Sequence, residues 1–221
     1  GVGTDIVPTD CLAAMLKERL PAATRIDLAF SFGTSPSIDT VKTSIESVGK
    51  GGLIREGGRL KTVPNAYRMK KIPFQNQPQW AVTIPWGDVF TSGISTGVPD
   101  GMVYMAMTKL GIYMLRLSNP FKGIMNTRFG QDLGKSLVSK FIKKGPDEQA
   151  RETQRGQFWR EAEAPGGDKV EMTMSTPNVY SLTVEVGIRI AGYCLGNHGK
   201  SGYYTPLHVI REPFHRFNSG Y

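Results

Sequence analysis

The chain has 221 residues, of which 39% are hydrophobic and 10% aromatic. This composition is typical of a folded globular protein and excludes an intrinsically disordered one. No apolar run approaches the roughly 20 residues that a membrane-spanning helix needs, and no signal peptide is visible. The net charge of +8 would suit nucleic acid or anionic lipid. The basic residues are spread along the chain, however, without zinc-finger spacing or an aromatic-basic RNA motif, so we expect no nucleic-acid partner.

Two further features concern the protein to which this chain belongs and its cellular compartment. It opens on Gly1–Cys11 without an initiator Met or a preceding apolar strand, which predicts a fragment that begins in the middle of a larger architecture. Cys11 and Cys194 both fall within apolar helical patterns. We therefore predict two reduced, buried thiols in an intracellular, cytoplasmic protein.

Hydrophobic periodicity in the first quarter of the chain predicts two helices, a strand and a hairpin. The first helix begins at Pro8, a residue suited to a first helical turn, and Pro21 ends it. A strand with alternating apolar residues follows over 25–32, and then a helix over 37–48. The hairpin over 53–60 turns at Gly57-Gly58, where glycine supplies the positive φ angles of a tight turn.

The rest of the sequence continues this alternation of hairpins and helices. Strands are predicted over 67–74, 79–85 and 102–107, with a glycine-rich loop over 86–101. A helical pattern over 110–144 is interrupted at Asn119-Pro120, and a second hairpin (158–164 with 170–175) precedes a helix over 178–195. We therefore predict an α+β fold with helices packed on a mixed, mainly antiparallel sheet, in a single domain spanning residues 1–221.

Three sets of residues resemble chemical motifs but lack the required context. Gly1-Val-Gly3 precedes a helix as a dinucleotide-binding turn does, yet no strand comes before it, and Ile6 replaces the third glycine. Gly93-Ile-Ser-Thr-Gly97 matches the nucleophile elbow G-x-S-x-G, but no helix is expected to follow it, so we interpret it as a small-residue loop. The histidines lack metal-ligand spacing and are predicted to be surface or packing residues: His198, His208 and His215.

Two local patterns leave alternatives open. The apolar stripe Leu133, Leu137, Val138 and Phe141 has lysines beside it, which suits a helix on a membrane surface. A helix packed on its own domain or on a sister subunit has the same pattern and is commoner. The turn Ile84–Asp88 places an acid and an indole at the end of a strand, where substrate-facing groups often lie. Equally, its Asp can cap the next element and its Trp can pack on the core.

Four blocks in sequence order resemble saccharopine-dehydrogenase-like oxidoreductases. Residues 2–14 are similar to the family's G-F-D-x-[VI]-P-[ST]-D segment at the exit of the Rossmann domain, with Thr4 where Phe is usual. The other three blocks are Lys50–Leu60, Thr83–Asp88 and Ser175–Thr183. The resemblance runs from residue 1 to about 206, weakly between 110 and 150, and does not extend beyond His208.

The resemblance implies a two-domain enzyme whose N-terminal Rossmann domain binds NAD(P), with this chain as the following, substrate-side domain. It implies a small-molecule substrate, a homo-oligomer with contacts through this domain, and no cofactor binding by this chain alone. The candidate catalytic residues are Asp88 and Asp5, which would hold a substrate amine or act as a general base. The candidate substrate-binding residues are Thr4, Trp86, Tyr180 and Tyr203. The competing interpretation is a non-catalytic oligomerising or membrane-surface module that makes its contact through the basic helix around Lys140.

Overall fold

A six-stranded sheet forms the centre of the protein, as seen in a computed structural model that describes residues 3–4, 6–33, 38–141, 148–196 and 202–205. The strands are β1 (Arg25–Ser31), β2 (Gly52–Glu56), β3 (Arg59–Val63), β4 (Met69–Pro73), β5 (Pro78–Thr83), β6 (Val103–Ala106), β7 (Gly156–Glu163) and β8 (Lys169–Thr176). The helices are α1 (Val7–Arg19), α2 (Ile38–Val48), α3 (Asp88–Thr96), α4 (Lys109–Leu117), α5 (Lys122–Met125), α6 (Arg128–Phe141), α7 (Glu148–Thr153) and α8 (Val179–Gly196), with a 3-10 turn at Asn119–Phe121.

The strand order of the sheet is β4-β5-β6-β1-β7-β8, and β2 and β3 form a separate hairpin. Among these described strands, β1 and β6 are parallel and the other neighbours are antiparallel. The protein is therefore an α+β protein with a mixed, mainly antiparallel sheet, as predicted. None of the described helices is long and apolar enough to cross a membrane.

The sheet is strongly curled. β4 and β7 are separated by three strands, which would place them about 19 Å apart in a flat sheet at about 4.8 Å per strand. Lys70 of β4 nevertheless forms an ion pair with Glu161 of β7, with Nζ 2.9 Å from Oε1. Its ammonium also lies 4.4 Å from the centre of the Trp159 ring. The edge strand must therefore turn over the concave face of the sheet.

Each face of the sheet has its own apolar core. On the convex face, α1 and α3 contribute Leu12 and Val89 to a cluster with Leu28, Phe30 and Phe158. On the concave face, the cluster contains Ala29, Ala81, Tyr104 and Trp159, together with Ile54 and Val63 of the β2–β3 hairpin. Because side chains alternate along a strand, neighbouring residues of β1 and β7 enter different cores.

Most predicted elements are confirmed, including α1, α2, α8 and both hairpins. At the first hairpin, Gly57 and Gly58 have φ angles of 57° and 75°, as the tight turn requires. The predicted loop over 86–101 is wrong, because it contains α3. Of the two thiols predicted to be buried, Cys11 is half-buried and Cys194, on α8, is exposed.

The composition of α3 explains why the sequence did not reveal it. Its serine and threonine side chains normally compete with helical hydrogen bonds. In α3, Ser92 and Thr96 instead donate to the carbonyl oxygens of Asp88 and Ser92, each at 2.6 Å. Tertiary packing of Val89 then holds the helix, and Gly97 ends it with a φ angle of 69°. The pattern Gly93–Gly97 therefore lies in the last turn of a helix rather than in the predicted loop.

Candidate functional site

The residues before α1 are fastened to the first turn of α8. The Thr4 hydroxyl donates to the Val179 carbonyl oxygen at 2.7 Å, and the Thr4 backbone N–H donates to the Thr183 hydroxyl oxygen at 3.2 Å. Thr4 is only 3% exposed, and Val7 packs beyond it against Val186 of α8. Two segments 175 residues apart in sequence are thus joined at a buried threonine.

A buried ion pair lies beneath α1 and α3. Asp88, the first residue of α3, accepts a hydrogen bond from Arg160 of β7, with Oδ1 3.1 Å from Nη2. The two side chains are 0% and 1% exposed. Burying a charge is costly unless it is paired, so each of these groups depends on the other.

The electrostatics around Arg160 involve a second carboxylate. Burial lowers the pKa of the Arg160 guanidinium, and the charges of Asp88 and then Asp10 oppose that effect. Asp10 lies on α1 and is itself fully buried. Arginine stays protonated in proteins, so this region contains one cation between carboxylates of two helices.

Cys11, next to Asp10 on α1, is an unreactive thiol. Burial raises its pKa to about 12, and the neighbouring Asp10 carboxylate adds to the shift. A thiol nucleophile must be deprotonated near neutral pH. Cys11 therefore does not supply a nucleophile to this region.

The turn before α3 packs on both α1 and the sheet. A Cβ built on Gly87 would lie 2.8 Å from Cδ1 of Ile6, so the glycine permits the close approach of these segments. Trp86 is half-buried and packs on Phe30, with ring centres 4.9 Å apart. From the other side, Arg55 of β2 donates to the carbonyl oxygens of Val89 and Phe90 at 3.0 and 2.9 Å.

We call the region formed by residues 4, 6, 86–88 and 178–183 the α1–α3–α8 corner. It brings together four of the predicted site residues: Thr4, Trp86, Asp88 and Tyr180. Tyr180 is half-buried in the first turn of α8, while Asp88 faces Arg160 with no exposed surface. Their roles toward a substrate stay predictions.

Of the other two predicted site residues, the structure describes only Tyr203. Tyr203 is 66% exposed, and the segment that carries it is attached to the far end of α3, where the Ser95 hydroxyl donates to Thr205 Oγ1 at 2.9 Å. A nine-residue helix is about 13 Å long, so Tyr203 is not brought to Asp88. Asp5 lies outside the described residues.

A second charged cluster occupies the concave face of the sheet. Asp27 of β1 accepts from the Met102 backbone N–H at 2.9 Å and from Arg25 Nε at 3.3 Å. Burial raises the pKa of Asp27, against the opposing charge of Arg25. Burial likewise raises the pKa of the nearby Tyr104 phenol. Arg25 and the Met102 backbone hold Asp27 in place, as in a structural network.

Sequence reasoning missed Arg160 and Asp10, although each had a signal. Arg160 occupies a core-facing position of β7 between Phe158 and Ala162, where the strand pattern calls for an apolar residue. Asp10 interrupts the apolar residues in the first turns of α1. A charge on an apolar face predicts a buried partner, but only the fold identifies that partner.

The segment before α1 lacks the glycine pattern of a dinucleotide-binding turn. The side chain of Ile6 is 4% exposed and occupies the place where a dinucleotide-binding turn needs its third glycine. Thr4 is already engaged by α8. Within the described ranges, no group of three or more His, Cys, Asp or Glu side chains is placed to hold a metal ion.

No protein-family model matches this chain, and no curated protein matches it.

Proposed function

We propose that this chain is the substrate-side domain of a saccharopine-dehydrogenase-like NAD(P)-dependent oxidoreductase, following a Rossmann domain that binds the cofactor. One observation supports the proposal: the four sequence blocks that resemble this family meet in space. Thr4 joins the first block to the fourth through Val179 and Thr183. Arg55 of the second block donates to the carbonyl oxygens of Val89 and Phe90, which directly follow the third block.

The contact between Ile6 and Gly87 joins the first block to the third. Residues scattered over some 180 positions of the chain are therefore concentrated in one corner. Such a concentration is typical of a functional surface placed on a rigid scaffold.

In such an enzyme NAD(P) supplies the hydride chemistry, and the protein binds and orients the substrate. The half-buried Trp86 and Tyr180 would present aromatic surface to the substrate. Asp88 suits a positioning role better than direct contact, because its buried carboxylate fixes the first turn of α3 against Arg160. Asp5 keeps its predicted role toward a substrate amine or proton.

NADPH fluorescence tests the proposal. The protein expressed with the residues encoded upstream of Gly1 should show saturable NADPH binding, whereas residues 1–221 alone should show none. Absence of binding by the longer protein, or saturable binding by residues 1–221 alone, would overturn the assignment.

The pH dependence of turnover in that longer protein tests the role of Asp88. With Asp88→Asn we expect a lower kcat and an unchanged acid limb of the pH–rate profile, as a positioning residue requires. Loss of the acid limb would instead identify Asp88 as the general base. Unchanged turnover would remove Asp88 from the site altogether.

A further inference from the structure

An unusually apolar surface lies on α4, the 3-10 turn, α5 and α6. Eight large apolar side chains within residues 110–133 are each more than half exposed, with Leu110 at 72% and Phe129 at 73%. At roughly 200 Å² for a fully exposed side chain of this size, the eight together present about 1,000 Å². The largest apolar patch of a typical monomer is about 300–600 Å². We call these eight residues and their basic neighbours the α4–α6 surface.

The helices that carry this surface are held to the rest of the protein by their other sides. Ile112 of α4 is fully buried in the convex core. Arg116 donates to the Ala66 carbonyl oxygen at 3.1 Å, and Lys135 of α6 pairs with Glu46 of α2 at 2.6 Å. The helices are therefore attached to the protein through their other sides, and the eight apolar side chains point outward.

The charge of this segment indicates which kind of partner binds the α4–α6 surface. Lys109 and Arg128 are exposed within it, Lys122 is half-buried, and the single acidic residue between positions 109 and 141 is Asp132. The six basic residues in the same interval are Lys109, Arg116, Lys122, Arg128, Lys135 and Lys140. Apolar side chains with a basic surround are typical of helices that lie in the headgroup region of a bilayer.

A second copy of the chain is a poorer match. A two-fold interface brings the same surface of both copies together, so the basic residues would face each other. An anionic bilayer offers opposite charge around an apolar interior. We propose that the α4–α6 surface binds the surface of an anionic lipid bilayer without crossing it. This proposal does not depend on the proposed function.

Vesicle sedimentation of the full chain tests the proposal. We expect binding to vesicles of phosphatidylcholine with about one third phosphatidylserine, and little binding to phosphatidylcholine alone. Raising salt from about 0.1 M to about 1 M shortens the Debye length from about 10 Å to about 3 Å and should release the protein. Absence of binding to the anionic vesicles, or equal binding to both kinds, would overturn the proposal.

Two variants locate the contact. Lys109→Glu with Arg128→Glu should weaken binding at least about thirtyfold, because each basic residue near an anionic surface is worth about fivefold. Leu110→Ser with Phe129→Ser should weaken it at least about tenfold through lost apolar burial. All four positions are exposed, so the variants should keep the far-ultraviolet circular dichroism of the parent.

Matched controls test whether binding depends on the α4–α6 surface or on basic and apolar residues anywhere on the protein. Lys71→Glu changes an exposed basic residue on β4, and Val184→Ser with Ile188→Ser changes exposed apolar residues of α8. None of these should reduce binding by more than about twofold. Binding that survives Leu110→Ser with Phe129→Ser would overturn the proposal. A dimer in solution that the same double variant dissociates would assign the surface to a second copy instead, and would also overturn it.

Discussion

Arg160 and Glu161 are neighbours on β7, but their side chains enter opposite faces of the sheet and meet different surroundings. Arg160 pairs with Asp88 in a dry environment, where both side chains are almost fully buried. Glu161 pairs with Lys70 and, at 3.9 Å, with Lys169, whose side chains are 37% and 47% exposed. Water can solvate those lysines when the carboxylate is lost, but it cannot reach Asp88. The same kind of ion pair should therefore have very different importance on the two faces.

The largest effect is expected from Arg160→Met. The substitution keeps most of the side-chain volume but leaves the Asp88 carboxylate buried without its cation, so it should lower the free energy of unfolding by about 3–5 kcal/mol. Urea denaturation measures this loss. Adding Asp88→Asn removes the stranded charge and should restore part of it; a loss from Arg160→Met below about 1 kcal/mol would contradict the difference between the faces.

A smaller effect is expected from Thr4→Val in the α1–α3–α8 corner. The change removes the hydrogen bond from the Thr4 hydroxyl to the Val179 carbonyl oxygen, which keeps its hydrogen bond from the Thr183 hydroxyl, and should cost about 0.5–1.5 kcal/mol. Thr173→Val, at an exposed position of β8, is the matched control and should change stability by less than about 0.5 kcal/mol. Equal effects of the two substitutions would show that Thr4 does not fasten α8.

The pH dependence of the free energy of unfolding tests the buried carboxyl group of Asp27 on the concave face of the sheet. The pKa of Asp27 is raised above its ordinary value of 3.8 in the folded state, so the folded protein retains this proton at a pH where the unfolded chain has lost it. Stability from this group is therefore present below pH 3.8 and declines as pH rises through the folded pKa. Asp27→Asn should remove that decline, as measured by urea denaturation across pH. A variant that keeps the decline would assign it to another group.

The smallest effect is expected from Glu161→Gln. Its lysine partners are partly exposed and salt-screened, so the loss should be about 1 kcal/mol or less. Urea denaturation beside Arg160→Met compares two adjacent residues of one strand directly. A loss as large as that of Arg160→Met would mean that the concave face is as dry as the convex one.

The sequence was sufficient to predict the elements whose pattern is local. Proline at the start of α1, the Gly57-Gly58 turn and the alternation along β1 all depend on neighbours a few residues away. The sequence did not predict α3, because its serine and threonine hydroxyls donate to carbonyl oxygens within the helix and because Val89 is held by tertiary packing.

The site was only partly predictable for a related reason. Trp86 and Asp88 were found from their turn as well as from the resemblance, and Thr4 and Tyr180 from the resemblance; the fold places all four in one corner. Nothing local to Asp88 indicates that its partner is Arg160, 72 residues later. Nor does the sequence indicate that β4 folds over β7, because a long-range ion pair such as Lys70 with Glu161 follows from the curl of the whole sheet.

We propose above that the α1–α3–α8 corner faces the cofactor and substrate of an NAD(P)-dependent oxidoreductase. Amide hydrogen exchange, measured by mass spectrometry on the protein with its upstream-encoded residues, tests this claim most directly. On addition of NADPH, peptides containing Thr4, Trp86–Asp88 and Val179–Thr183 should gain protection, while peptides of α6 should not change. Unchanged exchange in all three corner peptides, or protection confined to α4–α6, would contradict the claim.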